Sequence, residues 1–281
     1  MCGHKFQHKR KPIRLAAALV QQYIWQRQTY ADLAKKYGRS EKWVQRKIDI
    51  TNATSIVQLK KDSGLVLTAD TTFFSRASGL TVFRDTRLKK IVWWKKTAVE
   101  RAEIYRTGKE HLEQHGFEIQ AVVLDGRRGI REVFSGIPVQ MCHFHQKQIV
   151  NRYLTTRPKL PASIALREIA KTIPRSTEKE LSKKLHKWFA TWEQFLKQKT
   201  TNIFTGHWCH THKRTRAAYR SLINNLPYLY TYQKYPELHI PNTTNSLDGY
   251  FNRLKSLLNV HRGMNPQRRY KMITKIFAGK Q

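Results

Sequence analysis

Acidic residues are scarce in this 281-residue chain. Asp and Glu number 19 against 53 Lys and Arg, a net charge of +34 with an isoelectric point near 10.4. That balance excludes cationic partners and points to a polyanion. Long apolar runs are also missing. No stretch of about 18 apolar residues occurs, so no transmembrane helix is expected. The N-terminus, MCGHKFQHKRKP, lacks the apolar core of a secretory signal. The rival polyanion is an anionic membrane surface, but the charge is spread along the whole chain and no basic amphipathic helix dominates. Cysteine is sparse as well: 3 in a chain this long make no disulfide scaffold. A reducing, cytoplasmic, nucleoid-associated setting is expected.

What is present is enough hydrophobic residue, 40%, for a sizeable core. The chain is organised around Leu65 to Phe74, LVLTADTTFF, an apolar and β-branched run preceded by the turn-formers Asp62, Ser63 and Gly64. It reads as a buried strand carrying one acid, Asp70. A carboxylate buried in a strand is costly unless paired or bound to a cation. The plain alternative is an Asp capping a strand end. A second apolar strand, Ile119 to Leu124, runs directly into Asp125 and Gly126. Two strands that each deliver one Asp suggest carboxylates brought together to hold a divalent metal.

The preceding residues read as helices. Ile13, Leu15, Ala16, Leu19, Val20, Tyr23 and Ile24 have helical spacing. Thr29 with Asp32 makes a capping-box variant for a second helix that ends at Gly38, and Ser40 caps a third with Trp43, Val44 and Ile48 inward. Residues 1–50 thus resemble a helix-turn-helix DNA-binding unit. Its third helix would enter the major groove, with Glu41, Lys42, Gln45 and Arg46 facing out as candidates for base edges or phosphates. The plain alternative is a three-helix bundle with a solvated basic face. Residues 1–60 carry 13 Lys and Arg and 3 Asp and Glu, which favours DNA. Residues 51–60 are polar and read as a linker. Cys2 to Phe6, CGHKF, is similar to half of a zinc ribbon. A ribbon needs four ligands and no CxxC partner exists, so no metal is assigned there.

Beyond the Asp70 strand come strands at 80–85 and 89–94, a helix over 97–115 closed by Gly116, the Asp125 strand, a short helix in RRGIREVFSG, a fifth strand in IPVQMCHF and a helix in QKQIVNRYL. The order β-β-β-α-β, with the Asp125 strand joining the first sheet across a helix, is the ribonuclease H-like plan. The fold class expected is therefore α/β: a ribonuclease H-like mixed sheet in a domain over 61–281, with a helical insertion at about 158–240, behind an all-α unit. In KELSKKLHKWFATWEQFLKQK, Leu181, Leu185, Trp188, Phe189, Trp192, Phe195 and Leu196 recur at three and four. That stripe reads as core first and as a base-stacking surface second.

Three features together resemble a DDE/DDD-type transposase of the Mutator-like class found in bacterial insertion sequences. These are Asp70 and Asp125 on the first and fourth strands, the Cys142-x2-His145 pair 17 residues after Asp125, and Thr243 to Lys255, TTNSLDGYFNRLK, similar to the family's TTN-x-x-E helix. The resemblance covers roughly residues 60–275. It implies a catalytic triad of Asp70, Asp125 and Asp248 binding two Mg2+ ions, with Mn2+ an acceptable substitute. Asp70 would bridge the ions and Asp125 and Asp248 would hold one each. The reaction implied is hydrolysis at the ends of a DNA element followed by attack of the freed 3′-OH on target DNA, without a covalent protein intermediate. The partners implied are double-stranded DNA at element ends and target, and a homodimer or larger assembly on DNA. Arg127, Arg128 and Lys255 are placed to touch phosphates. Cys142 and His145 would orient elements beside the acids or contact DNA, or serve only as a buried strand-end Cys and a capping His. The family pattern has Glu where this chain has the shorter Asp248; Glu237 is a rival third acid in a loop. His207, Cys209, His210 and His212 match no standard zinc spacing, and no metal is assigned to them. The alternatives are a ribonuclease H-like nuclease or resolvase, and a catalytically inert DNA-binding remnant.

Overall fold

The structure, a computed structural model, describes residues 11–50, 64–76 and 78–278, with the side chains of 11–14, 128 and 278 left aside. The CGHKF segment and the 51–60 linker lie outside the described residues. The chain divides into two compact units. One comprises Met1–Leu59, Phe74–Ser78 and Gly249–Gln281; the other comprises Lys60–Phe73 and Gly79–Asp248. This differs from a single domain over 61–281, because the last 33 positions, Gly249–Gln281, group with the N-terminal helices.

The first unit begins with α1 (Lys11–Trp25), α2 (Tyr30–Tyr37) and α3 (Glu41–Ile50). The capping box forms: the Asp32 amide donates to Thr29 Oγ1 at 3.2 Å and the Thr29 amide to Asp32 Oδ2 at 2.8 Å. Gly38 ends α2 at φ +58°, a conformation that favours glycine. Ser40 Oγ accepts from the Trp43 amide at 3.2 Å, as an N-cap should. Leu19, Tyr23, Ile24, Leu33, Val44 and Ile48 form the buried face. Trp43 is half-buried, with Arg39 and Lys47 over its ring at 5.6 and 5.8 Å. The C-terminal helix α12 (Pro266–Ala278) joins this unit through a 3.0 Å ion pair between Arg268 and Asp49. The His261 ring also stacks on Tyr23 at 3.8 Å.

The second unit holds a mixed five-stranded sheet, order β3-β2-β1-β4-β5. The strands are β1 (Leu65–Ser75), β2 (Ser78–Asp85), β3 (Ile91–Thr97), β4 (Ile119–Leu124) and β5 (Val139–Met141). Thr71 to Thr81, Thr68 to Arg84 and Val66 to Thr86 are bonded pairs whose numbers climb on one strand as they fall on the other, so β1 and β2 run antiparallel. β2 and β3 are antiparallel, whereas β1–β4 and β4–β5 are parallel. β1 is buried continuously from Leu65 to Ala69, as a strand covered on both faces must be.

Helix α4 (Ala102–Gln114) packs by Tyr105 and Gly108 on Phe83 and Trp93. The sequence places its start at 97; the structure starts it five residues later, after β3 continues to Thr97. A short helix, α5 (Arg128–Val133), follows β4. The fifth strand is shorter than IPVQMCHF: its last bond to β4 is Cys142 N–H to Leu124 O at 2.9 Å, and the chain then turns into a helix. Cys142 is instead the N-cap of α6 (His143–Leu154), so the Cys142–His145 pair lies on a helix start and not on a strand.

Residues 161–234 form α7 (Pro161–Lys171), α8 (Glu178–Lys197), a hairpin of β6 (Lys199–Thr201) and β7 (Trp208–His210), α9 (Lys213–Leu229) and α10 (Thr231–Lys234). Leu181, Leu185, Trp188 and Leu196 are buried there and Trp192 and Phe195 pack against them, which makes the stripe core. Phe189 stays 37% exposed, stacked on Tyr219. Helix α11 (Asn245–Val260) carries Asp248, the last residue of this unit, in its first turn; from Gly249 onward it belongs to the first unit.

Candidate active site

The register of the parallel strands sets the site. Thr68 lies opposite Val123 in the last pair of the β1–β4 ladder; Asp70 is two residues beyond it on β1, and Asp125 two residues beyond it, just past the end of β4. Leu124 lies opposite Met141, and Cys142 N–H donates to Leu124 O at 2.9 Å, so Cys142 follows beside the end of β4. Neighbouring strands lie about 4.8 Å apart and paired residues of parallel strands point to one face. Asp70, in mid-β1, thus neighbours Asp125 and Cys142, which follow the ends of β4 and β5.

Each acid is oriented by the backbone just after it. Thr71 N–H donates to Asp70 Oδ1 at 2.8 Å, and Arg127 N–H donates to Asp125 Oδ1 at 3.0 Å. Gly126, at φ +94°, makes the turn that allows the second bond. Burial pushes the Asp70 carboxyl up to about 7, with the negative charges of Asp125 and Glu100 adding to it and the Thr71 N–H and His145 opposing it.

Glu100 belongs to this cluster and sequence reasoning missed it. It lies in the connection between β3 and α4, its side chain 10% exposed. Tyr105 Oη donates to Glu100 Oε1 at 2.7 Å, and Arg127 Nη1 sits 3.0 Å from Glu100 Oε2. Thr71 Oγ1 is bonded to Tyr105 Oη at 3.2 Å, so hydrogen bonds run from Asp70's neighbour to Asp125's neighbour through Glu100. Burial raises the Glu100 carboxyl, and the charge of Asp125 raises it further. A helix running from 97 onward would make Glu100 one more solvent-facing helical acid, which is why the sequence alone gives it no signal.

Cys142 and His145 interact. The hydrogen bond to Cys142 pushes the His145 imidazole up to about 9 against the opposing effect of burial, and the charges of Asp70 and Asp125 add to it. Burial alone would raise the Cys142 thiol, but the bonds from His145 and Thr244 outweigh it and hold the thiol below its ordinary value. Cys142, Asp70 and Asp125 thus all favour the protonated form of His145.

Asp248 connects to these residues indirectly. Thr244 Oγ1 donates to Asp248 Oδ2 at 3.1 Å and lies 3.4 Å from Cys142 Sγ, while Thr244 N–H donates to that sulfur at 3.3 Å. Hydrogen bonds thus run from Cys142 through Thr244 to Asp248, while the charge of Asp70 acts on His145. Glu237, the rival, is exposed in a 3-10 turn, Pro236–Leu238. Among the described residues no group of three or more His, Cys, Asp or Glu side chains is disposed to hold a metal ion. Asp70, Asp125 and Glu100 lie close enough for their charges to act on one another, a minor addition to the burial that raises Asp70. Carboxylate oxygens are the ligand type that a hard divalent cation takes.

Of the expected DNA contacts, Lys42 and Arg46 are exposed on α3. Gln45 is half-buried and lines a cavity with Tyr23, Tyr30 and His261, so it does not face outward freely. Arg127 is exposed but turned to Glu100. Arg128 starts α5, and its side chain lies outside the described residues. Lys255 is half-buried two turns beyond Asp248 on α11.

No family model matches the chain, and no curated protein matches it. Among solved structures, a chain in the cryo-EM structure of the simian T-cell lymphotropic virus intasome in complex with PP2A regulatory subunit B56 gamma is similar over 75% of this chain, at 9% identity and a TM-score of 0.26. This chain spans 66% of that one. At that score the likeness assigns neither fold nor function.

Proposed function

We propose that this chain is a ribonuclease H-like transposase of the DDE/DDD type, which cleaves DNA strands at the ends of an insertion element and joins them to target DNA. The observation that carries the reading is the closeness of Asp70 and Asp125, each two residues beyond the Thr68–Val123 pair of adjacent parallel strands and near enough for the charge of Asp125 to act on Asp70. The strand order, with an antiparallel meander on one side and two parallel strands on the other, is compatible with the ribonuclease H-like plan. The charge of +34 supports a phosphate-dense substrate.

On this reading Asp70 and Asp125 hold Mg2+, with Asp248 on α11 as the third acid. When bound, Mg2+ supplies Lewis acidity and positive charge at the scissile phosphate. The protein's part is positional. The N–H groups of Thr71 and Arg127 fix the two carboxylates, and the Glu100–Tyr105 network fixes the loop that carries Arg127. His145, holding its proton near neutral pH, offsets negative charge beside the phosphate. Lys42, Arg46 and Lys255 neutralise DNA phosphates.

The test is a strand-transfer assay on a plasmid carrying the DNA that flanks the gene, with Mg2+ or Mn2+. Cleaved and joined products that vanish in Asp70→Asn and Asp125→Asn support the reading. Cleavage without joining assigns a nuclease or resolvase. Binding without cleavage assigns an inert DNA-binding remnant.

A further inference from the structure

The β6–β7 hairpin displays two large apolar side chains at its tip: Ile203 is 94% and Phe204 97% exposed. The tip is built rather than frayed. Asn202 Oδ1 accepts from the amides of Phe204 and Thr205 at 2.8 and 3.2 Å. Asn202 N–H reaches His207 O at 2.9 Å, and Gly206 N–H reaches Asn202 O at 2.9 Å with Gly206 at φ +68°. Lys199, Thr200 and Thr201 pair with His210, Cys209 and Trp208. The base is anchored on both flanking helices: Thr211 N–H donates to Gln198 O at 3.0 Å, Arg216 Nη1 to Leu196 O at 2.8 Å, and the Phe195 ring stacks on His212 at 3.5 Å.

The hairpin's setting is basic. No Asp or Glu occurs from Gln194 to Pro236; Lys199 is in the hairpin, Lys197 (paired with Glu193 at 2.9 Å) precedes it, and Lys213, Arg214, Arg216 and Arg220 follow it in sequence. Trp208, 56% exposed on the side of the hairpin, has Lys199 Nζ 3.8 Å from its ring. Two apolar side chains are far too little surface for a stable protein interface, which buries at least about 1,200 Å². A narrow tip of one aliphatic and one aromatic side chain, with cations behind it, suits a base step whose phosphates lie on either side. An anionic lipid surface would also attract cations with an aromatic, but a charge spread over the whole chain suits a long polyanion better than a single membrane-facing patch.

We propose that the β6–β7 hairpin is a DNA wedge: Phe204 and Ile203 insert into the base stack of duplex DNA while the flanking Lys and Arg hold its backbone. The proposal rests on the DNA-processing function above and adds a second DNA contact far in sequence from α3.

The experiment uses the full chain and a 40-bp mixed-sequence duplex carrying 2-aminopurine at scanned positions. The wild type should raise 2-aminopurine fluorescence by unstacking. Ile203→Ser with Phe204→Ala should abolish that rise and weaken binding about 5- to 150-fold. The slope of log affinity against log salt should stay unchanged, because no charge is removed. Lys199→Ala should flatten that slope by about 0.9 and leave the fluorescence rise in place. The thermal midpoint of the double variant should match wild type, since both side chains are at an exposed tip. If the wild type does not bind the duplex, the DNA-processing reading falls and the wedge with it. If it binds and the double variant equals wild type in fluorescence and affinity, the wedge alone falls. Loss of binding to phosphatidylglycerol vesicles with DNA binding intact would make the tip a lipid contact. Loss of a dimer in sedimentation with DNA binding intact would make it a protein contact. Either result overturns the wedge.

Discussion

Arg127 closes on Glu100: its Nη1 lies 3.0 Å from Glu100 Oε2, while its own backbone N–H holds Asp125 Oδ1 at 3.0 Å. One residue thereby ties a loop acid to a strand-end acid. Tyr105, 1% exposed, adds its hydroxyl to the same Glu100. Glu100→Ala removes an acceptor from a buried hydroxyl and the tether from Arg127. Leaving a buried polar group short of a partner costs about 1–3 kcal/mol. Urea unfolding should show a loss of that size for Ala and a smaller one for Glu100→Gln, which keeps an acceptor for Tyr105. Equal stability of Ala and wild type would mean the network is not holding this loop.

Gly108 lies in α4 where a Cβ would come within 2.8 Å of the Phe83 and Trp93 rings. Gly→Ala in a helix gains up to about 1 kcal/mol of propensity. Overpacking against buried rings costs about 1–3 kcal/mol, and these rings have little room to move. The clash should win, so Gly108→Ala should lower the melting temperature. Gly129 in α5 has nothing within 4 Å of a Cβ, and Gly129→Ala should raise the melting temperature slightly. A stabilised Gly108→Ala would show that α4 can shift off the sheet cheaply.

Much of this arrangement is legible in the sequence. The two acid-bearing strands declare themselves through apolar β-branched runs, and the Thr29–Asp32 box and Gly38 through local capping chemistry that depends on few residues. Asp70 meeting Asp125 follows from two such strands seeking one sheet. Two things are hidden. Glu100 depends on where β3 stops and α4 starts, a boundary fixed by pairing across the sheet rather than by helical periodicity. Cys142 and His145 follow the apolar β5 run with no Gly or Pro to mark where the strand stops, so the turn into α6 at Cys142 carries no local signal. The grouping of Gly249–Gln281 with the N-terminal helices rests on interactions such as Arg268 with Asp49, which no local pattern announces.

His143 is 1% exposed, with its Nε2 bonded to Leu229 O at 2.6 Å and no partner for Nδ1 among the described residues. Burial lowers this imidazole below its ordinary value, the Leu229 carbonyl opposes that, and Lys147 adds to the lowering. The unfolded chain therefore takes up the proton first as pH falls. Its contribution to stability is complete above about pH 6.5 and is lost below that value, toward the lower folded-state value. Asp70 titrates the other way over part of this range, so a comparison isolates the histidine. His143→Gln keeps an N–H for Leu229 but cannot be charged. Wild type should lose stability relative to this variant as pH falls from about 6.5 to 5, measured by urea midpoints. Parallel curves would mean His143 does not titrate on unfolding.

Lys42 and Arg46 are exposed on α3, whereas Gln45 is half-buried beside the Tyr30 cavity. Replacing Lys42 and Arg46 with Ala should weaken DNA binding and reduce the salt slope by about 0.9 for each phosphate no longer neutralised. Gln45→Ala should lower the stability of this unit instead, with the salt slope unchanged. Anisotropy titrations at several KCl concentrations separate these outcomes. An unchanged slope in the Lys42, Arg46 double variant would show that α3 does not lie on the DNA backbone.

Asp248 is the shorter acid where the resemblance expects Glu, and its Oδ2 accepts from Thr244 Oγ1 at 3.1 Å. Thr244 is fully buried and bonded in turn to Cys142, so the Asp248 carboxylate is held from one side by a rigid neighbour. Asp248→Asn preserves shape but removes the charge. On the proposed function, strand cleavage should fall by orders of magnitude. DNA binding should hardly change, because removing one negative charge from a +34 chain slightly favours a polyanion. Asp248→Glu discriminates further. Its extra methylene pushes the carboxylate beyond the reach of Thr244 Oγ1, and the absence of that bond should lower cleavage if the Thr244 link positions the acid. Restoring or raising cleavage with Glu would show that the link is dispensable and that reach decides. Cleavage by Asp248→Asn at the wild-type rate would remove Asp248 from the site and leave Glu100, already beside Asp70 and Asp125, as the third acid to replace next.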